Sequence, residues 1–342
     1  MTEPLIDSLR SAQAPLPDDP SVARRVHDWP LLTQTELGRI DPQNAVVMVT
    51  CSPIEVHGPH LPLGTDYLEA EAISRRAAEL LLARRPRLHA LRLPPIYVAA
   101  DVVPHRGSVA FRTSTITRVL TDLGRSLTVQ GFRHIWVTSF HGGPRHWVAI
   151  EVAADRVNRR WGGAMIPVFS LMINRLTGGN SDVADLLAEV AGLPAEVLRG
   201  DTHAGTVETA MLMHLLGGRV DPRFVDLPRR TVSLKLRELG RRPLTDHGHP
   251  GLAELLRGFY YKLKYFETDT YAGDPRHATP EMGERLLEHL AGLAAEALEE
   301  VWDGSLPPDQ CRSPLWPLRW FFTNETLSWL AERAVGYRNL VF

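Results

Sequence analysis

The 342-residue chain has only two cysteines, Cys51 and Cys311. Two thiols cannot build a disulfide framework or a four-cysteine zinc ribbon, and their scarcity fits a reducing compartment. Nowhere do about 18 apolar residues run unbroken, and the N-terminus lacks the basic start, apolar stretch and small-residue cleavage site of a signal peptide. A cytoplasmic protein with no membrane partner is expected. Charge of one sign is missing too: 38 basic residues face 40 acidic ones, for a net charge near -2. That balance offers no field for phosphate backbones, which excludes nucleic acid as a main partner and leaves a small-molecule substrate. The phosphate-cradling GxxxxGK[ST] loop and the dinucleotide fingerprint are absent, so no nucleotide cofactor is expected. No Ser or Cys stands in a nucleophile elbow, and Cys51, at a strand end, reads as a small hydrophobe.

What the chain does contain is alternation. With 44% hydrophobic and 23% charged residues it can bury the core of one large α/β domain or two smaller ones. Residues 1–29, rich in Pro, Asp, Ser and Ala, read as a partly disordered leader arm. AVVMVTC, residues 45–51, is a buried strand that enters the loop EVHGPHLPLGTD, and a helical pattern follows after Asp66. The order strand, loop, helix recurs with LRLPPIYVA, with HIWVTSF, and with AMIPVFS before a helix near Ser181. Such alternation predicts a mostly parallel sheet covered by helices on both faces. Ligands bind such sheets beyond the carboxyl ends of the strands, so EVHGPHLPLGTD and FHGGPRH (140–146) are expected to converge on one cleft.

Those loops carry the chemistry. The first holds Glu55, His57, His60 and Asp66, the second His141, and a third cluster, DTHAGTVETAMLMHL, adds Asp201, His203 and Glu208. Carboxylates with imidazoles suit Zn, Mn or Fe better than Ca, which prefers oxygen shells. A bridging aspartate would allow two ions about 3.5 Å apart that share a hydroxide. His105, His134, His146, His214, His247 and His249 lack such company and read as solvated or hydrogen-bonded side chains. From spacing alone, Gly142 and Gly143 also fit a plain tight turn before a helix.

CSPIEVHGPHLPLGTD, residues 51–66, closely resembles the first motif of the creatininase (creatinine amidohydrolase) family, roughly G-S-x-E-Q-H-G-P-H-L-P-L-x-x-D. FHGGP, HAGTVETA and GDPRHATPEMG match three later family motifs in order, and the resemblance spans roughly residues 30 to 300. It implies an α/β, three-layer α/β/α sandwich with a mostly parallel central sheet, filling residues 30–304 and followed by an aromatic extension, 305–342. It also implies two divalent metal ions, Zn or Mn with Fe as an alternative, hydrolysis of amide bonds in cyclic or formylated small molecules, and a homo-oligomer, by family habit a hexamer. Position by position, it makes Glu55 and His141 ligands of one ion, His57 a ligand of the other and Asp66 the bridge. The family's glutamate two residues after the second-motif histidine is Gly143 here, so Glu208 takes its place. His203 becomes the candidate acid, titrating near neutrality, with Glu208 also catalytic. His60 orients the first loop and, with Phe140, Gly142, Gly143 and Thr206, is expected to face substrate. Val56, Phe140, Pro144 and Thr206 replace the usual Gln, Gly, Asn and Glu, which predicts a more apolar pocket and a substrate other than creatinine. Two alternatives remain at this stage: a metal enzyme performing cyclisation, dehydration or isomerisation, and a degenerate member that only binds. The aromatic extension is expected to pack on its own domain or to cover the pocket or a subunit contact.

Overall fold

The computed structural model describes residues 19–177, 183–244, 252–337 and 340–341. Residues 1–18 of the leader, Ser181, His247 and His249 lie outside them. The five strands are β1 (Val26–Asp28), β2 (Ala45–Thr50), β3 (His89–Arg92), β4 (His134–Thr138) and β5 (Ala164–Pro167). The longer helices are α1 (Thr65–Arg84), α2 (Thr113–Val129), α3 (Pro144–Trp161), α4 (Val168–Thr177), α5 (Val183–Ala191), α6 (Thr206–Leu216), α7 (Val232–Glu238), α8 (Leu252–Phe266), α9 (Pro280–Trp302) and α10 (Glu325–Val335).

The sheet runs β1-β3-β2-β4-β5, and every pairing is parallel. All six residues of β2 are buried, which a continuous apolar run requires when both faces are covered. Its alternate side chains divide between two cores: Val46 and Met48 join α1, α6 and α9, whereas Ala45, Val47 and Val49 join α2 and α3. Three layers result. β2 lies between β3 and β4, so the chain leaves β2 toward one side and returns through β4 on the other. That reversal brings the loops after β2 and β4 side by side. No described helix is long and apolar enough to cross a membrane.

Two expectations are corrected. Val26–Asp28, assigned to the leader, is the edge strand, with Val26 opposite Ala90. Three residues show no readable periodicity. What holds them is tertiary: Arg25 Nη1 donates to the carbonyls of Leu82, Arg85 and Leu88 at 3.0, 2.9 and 3.2 Å, capping the carboxyl end of α1. AMIPVFS, taken whole as a strand, ends at Pro167, where the missing N–H stops the ladder, and Val168 already begins α4.

The extension folds back on its own domain. Ser313 N donates to Glu151 Oε1 at 2.8 Å, the Arg312 guanidinium lies 4.0 Å from the Trp316 ring centre, and Glu325 accepts from Ser114 N at 3.1 Å. Cys311 is fully buried in the core, while Trp320 remains 62% exposed.

Candidate metal centre

Loop 51–64 ends at the first turn of α1, where the positive end of the helix dipole favours the Asp66 carboxylate. Gly58, at φ +62, turns the loop back, and a short bridge between His57 and Leu61 closes it. His57 is thereby brought to Asp66, its Nε2 lying 3.1 Å from Oδ1. From β4, His141 places Nδ1 3.0 Å from Glu55 Oε2 and 3.3 Å from Asp66 Oδ2. From the first turn of α6, Glu208 Oε2 comes to 3.6 Å from His57 Nε2. Glu55, Asp66 and His141 offer ligand atoms within 4.8 Å of one another, as do His57, Asp66 and Glu208, and Glu55, His57 and His203. Asp66 is common to the first two groups.

The orientation of the imidazoles tests whether cations fit. His57 Nδ1 donates to the Glu55 carbonyl at 3.0 Å, and His141 Nε2 donates to the Ala100 carbonyl at 2.9 Å. Each ring therefore turns its remaining nitrogen toward carboxylate oxygens, free to carry a proton or to bind a metal ion. A bare lone pair facing a carboxylate would repel it, so a proton or a metal ion must lie between them. Glu55 Oε2 and Asp66 Oδ2 are buried without a hydrogen-bond donor, as metal ligands would be. Burial resists charge on His57, but Asp66, Glu208 and Glu55 outweigh it and raise its pKa to about 10. Burial alone would raise the Asp66 carboxyl, yet His57 and His141 hold it well below its usual range. The cluster draws positive charge, and divalent ions supply it.

The remaining expected residues divide. His203 lies within the cluster, its ring centre 4.2 Å from that of His57, and its Nε2 donates to the Val56 carbonyl at 2.7 Å. Burial, and then His57, push its pKa down to about 4, below the titration near neutrality expected of it. Burial instead raises Glu208 to about 7. Its side chain is 13% exposed, against 2% or less for His57 and Asp66. Thr206, expected at the substrate, is fully buried and donates through Oγ1 to the Asp274 carbonyl at 2.7 Å. It locks the third motif to the fourth. Gly205 and Gly273 permit that approach, since a Cβ on Gly273 would lie 2.6 Å from Gly205 Cα. His60 is buried, with Nε2 2.9 Å from Thr209 Oγ1, which anchors the first loop to α6. Phe140 packs edge-on against Phe169, with ring centres 5.7 Å apart. Gly142 is exposed, whereas Gly143 is buried directly behind His141.

His105 and His146 are hydrogen-bonded and His214 is exposed, as expected, whereas His134 instead lies half-buried against the tilted ring of Trp302. Cys51 is fully buried, and burial pushes its thiol up to about 12, far from a nucleophile. The motifs missed Glu69. It lies one helical turn after Asp66, fully buried, with neither carboxyl oxygen partnered, and burial followed by Glu208 and Asp66 holds it well above its usual pKa. Its i, i+3 spacing from Asp66 was the available signal. Asp101 and Arg145, which brace the loop behind His141, had none.

A parallel three-layer sandwich with buried carboxylates and imidazoles at its switch point defines an α/β protein of the metallohydrolase type. The solved structures similar to it include a manganese creatininase (19% identity, TM-score 0.52, covering 80% of this chain and 97% of that one). A putative creatinine amidohydrolase from Bacteroides fragilis is also similar (21%, TM-score 0.51, 80% and 96%). These likenesses show the fold. The creatinine amidohydrolase family model matches residues 30–298, and the chain belongs to the creatininase family. Among curated relatives, a mycofactocin precursor peptide peptidase of Mycolicibacterium smegmatis is 28% identical over 256 residues, 74% of this chain and 84% of the relative. Together these likenesses support a metal-dependent amidohydrolase type of function.

Proposed function

We propose that the chain is a dinuclear metal-dependent amidohydrolase that cleaves an amide C–N bond of a small molecule or short peptide other than creatinine. The observation that carries this reading is the pair of ligand groups sharing Asp66, with the second nitrogen of both imidazoles turned toward carboxylates. Glu55, Asp66 and His141 would hold one ion, and His57, Asp66 and Glu208 the other. Bound there, two divalent ions, Zn or Mn with Fe as an alternative, would supply a water of lowered pKa and polarise the scissile carbonyl.

The chain's own groups handle orientation and protons. The backbone carbonyls of Glu55 and Ala100 fix the tautomers of His57 and His141. Glu208 receives a hydrogen bond from Ala204 N on Oε2 at 2.5 Å, leaving Oε1 to take a proton from the attacking water and return it to the departing nitrogen. Its partial exposure suits that exchange. His203 positions the Val56 backbone. Cytoplasmic residence and homo-oligomeric assembly belong to the same proposal.

Similarity to a precursor peptide peptidase supports placing short peptides beside cyclic amides and formamides as candidate substrates. The test is turnover in oxygen-18 water. Hydrolysis puts the label into the new carboxyl group, whereas a turned-over substrate with unlabelled product would mean cyclisation, dehydration or isomerisation.

A further inference from the structure

The chain continues past the segment its family shares, which ends at residue 298, and α10 belongs to that extension. Glu332 on α10 is 4% exposed and forms an ion pair with Arg145 Nη1. Arg145, itself 7% exposed at the start of α3, turns its other groups on Asp101: Nε binds Oδ1, and the backbone N–H donates to Oδ2 at 2.7 Å. Asp101 has φ +64, a left-handed conformation that a non-glycine residue keeps only when its surroundings impose it. The side chains that impose it come from α3 and, one step out, from the extension.

That turn sets the backbone groups on either side of Asp101. The Ala100 carbonyl accepts from His141 Nε2 at 2.9 Å, and Val103 N donates to Glu55 Oε1. Loop 100–103 therefore orients two of the three side chains in one ligand group, Glu55 and His141. None of its hydrogen bonds among the described residues reaches His57 or Glu208. A contact path thus runs from Glu332 through Arg145 and Asp101 to the side chains of Glu55 and His141.

We infer that Glu332 is a positioning residue: the C-terminal extension braces the ion held by Glu55, Asp66 and His141, and leaves the ion held by His57, Asp66 and Glu208 unaffected. The inference rests on the two-ion reading above. Losing the partners that orient metal ligands typically weakens metal affinity 10- to 100-fold, and Glu332 acts one step further out, so roughly tenfold is expected.

The experiment is Co²⁺ binding, followed by competition with a chelator and by visible absorption, in the native chain, Glu332→Gln, Glu332→Asp and Glu208→Gln, and in the Glu208→Gln, Glu332→Gln double variant. In Glu332→Gln, one of two dissociation constants should rise about tenfold with a changed absorption band, while the other stays within about twofold. Glu332→Asp, which keeps the charge, should recover part of the loss. The single ion retained by Glu208→Gln should be the one weakened in the double variant. A folded Glu332→Gln protein with both constants unchanged, or with both weakened alike, would overturn the inference while leaving the two-ion reading intact. A native chain that binds fewer than two Co²⁺ ions would overturn that reading, and this inference with it.

Discussion

His57 Nε2 and Asp66 Oδ1 meet at 3.1 Å although nine residues separate them, and Asp66 also receives the approach of His141 from a different strand. One carboxylate thus joins two imidazoles that a single proton could not serve together. If Asp66 bridges two ions, removing a ligand of one should leave the other. Elemental analysis of chain purified without added metal or chelator should give about two ions per chain, falling toward one in Glu208→Gln. A native chain with one ion would mean that the glycine at 143 had cost the second site.

Gly143 reports on the other ion. A Cβ there would lie 2.6 Å from both His141 Nε2 and Asp101 Cβ, and 3.0 Å from the Ala100 carbonyl. Gly143→Ala should therefore drive the His141 ring off its carbonyl and weaken that ion at least tenfold, as loss of such an orienting partner does. Gly142, where a Cβ meets nothing within 4 Å, is the control, and Gly142→Ala should bind metal normally. Equal metal content in the two variants would count against the role of the Ala100 contact.

The crossing of α6 and α9 links stability to the site. A Cβ on Gly283 would come 2.0 Å from the Ala210 carbonyl oxygen and 2.5 Å from its carbon, both backbone atoms. Gly283→Ala must push the helices apart, at a cost of at least about 2 kcal/mol. Because α6 carries Glu208, the same variant should lose the ion near His57. Thermal unfolding and metal analysis read both effects, and a chain with unchanged midpoint would contradict the close packing.

His134 should make the protein acid-sensitive independently of the metal ligands. Burial against Trp302 lowers its pKa to about 4. Above pH 6.5 both folded and unfolded chains hold it neutral, and its contribution to stability is complete. As pH falls from 6.5 toward 4, the unfolded chain takes up a proton that the folded chain refuses, and stability declines by roughly 2 kcal/mol. His134→Phe keeps a ring against Trp302 but cannot titrate. Urea unfolding at pH 7.5 and 4.5 should show a smaller loss in the variant, and equal losses would refute the assignment.

Much of the site was legible because its residues are close in sequence and their chemistry is rare. Glu55, His57 and Asp66 share one loop, and the glycines and prolines around them mark a turn rather than a helix. The convergence of His141 followed from the rule that parallel strands deliver their loops to one end, and β2 and β4 are indeed neighbours. Thr206 was misread because a hydroxyl beside a motif histidine says nothing about direction, and here it points into the Asp274 carbonyl. Spacing could not show that His203 is buried beside His57, a setting that pushes its pKa down to about 4 despite the nearby Glu55 and Asp66.

Sequence by itself determined the parallel α/β scaffold, the loops that bear the metal-binding chemistry and the family, since these rest on local periodicity and on residue types at fixed spacing. Tertiary structure alone decided which imidazole nitrogen faces the carboxylates, that Glu69 sits unpartnered one turn from Asp66, and that Glu332 reaches Arg145 behind His141. Those outcomes depend on burial, hydrogen-bond direction and contacts between residues up to 187 positions apart, the separation of Glu332 from Arg145 (332 minus 145). No pattern along the chain encodes distances of that kind, because they are set by how the packed helices and strands meet in space.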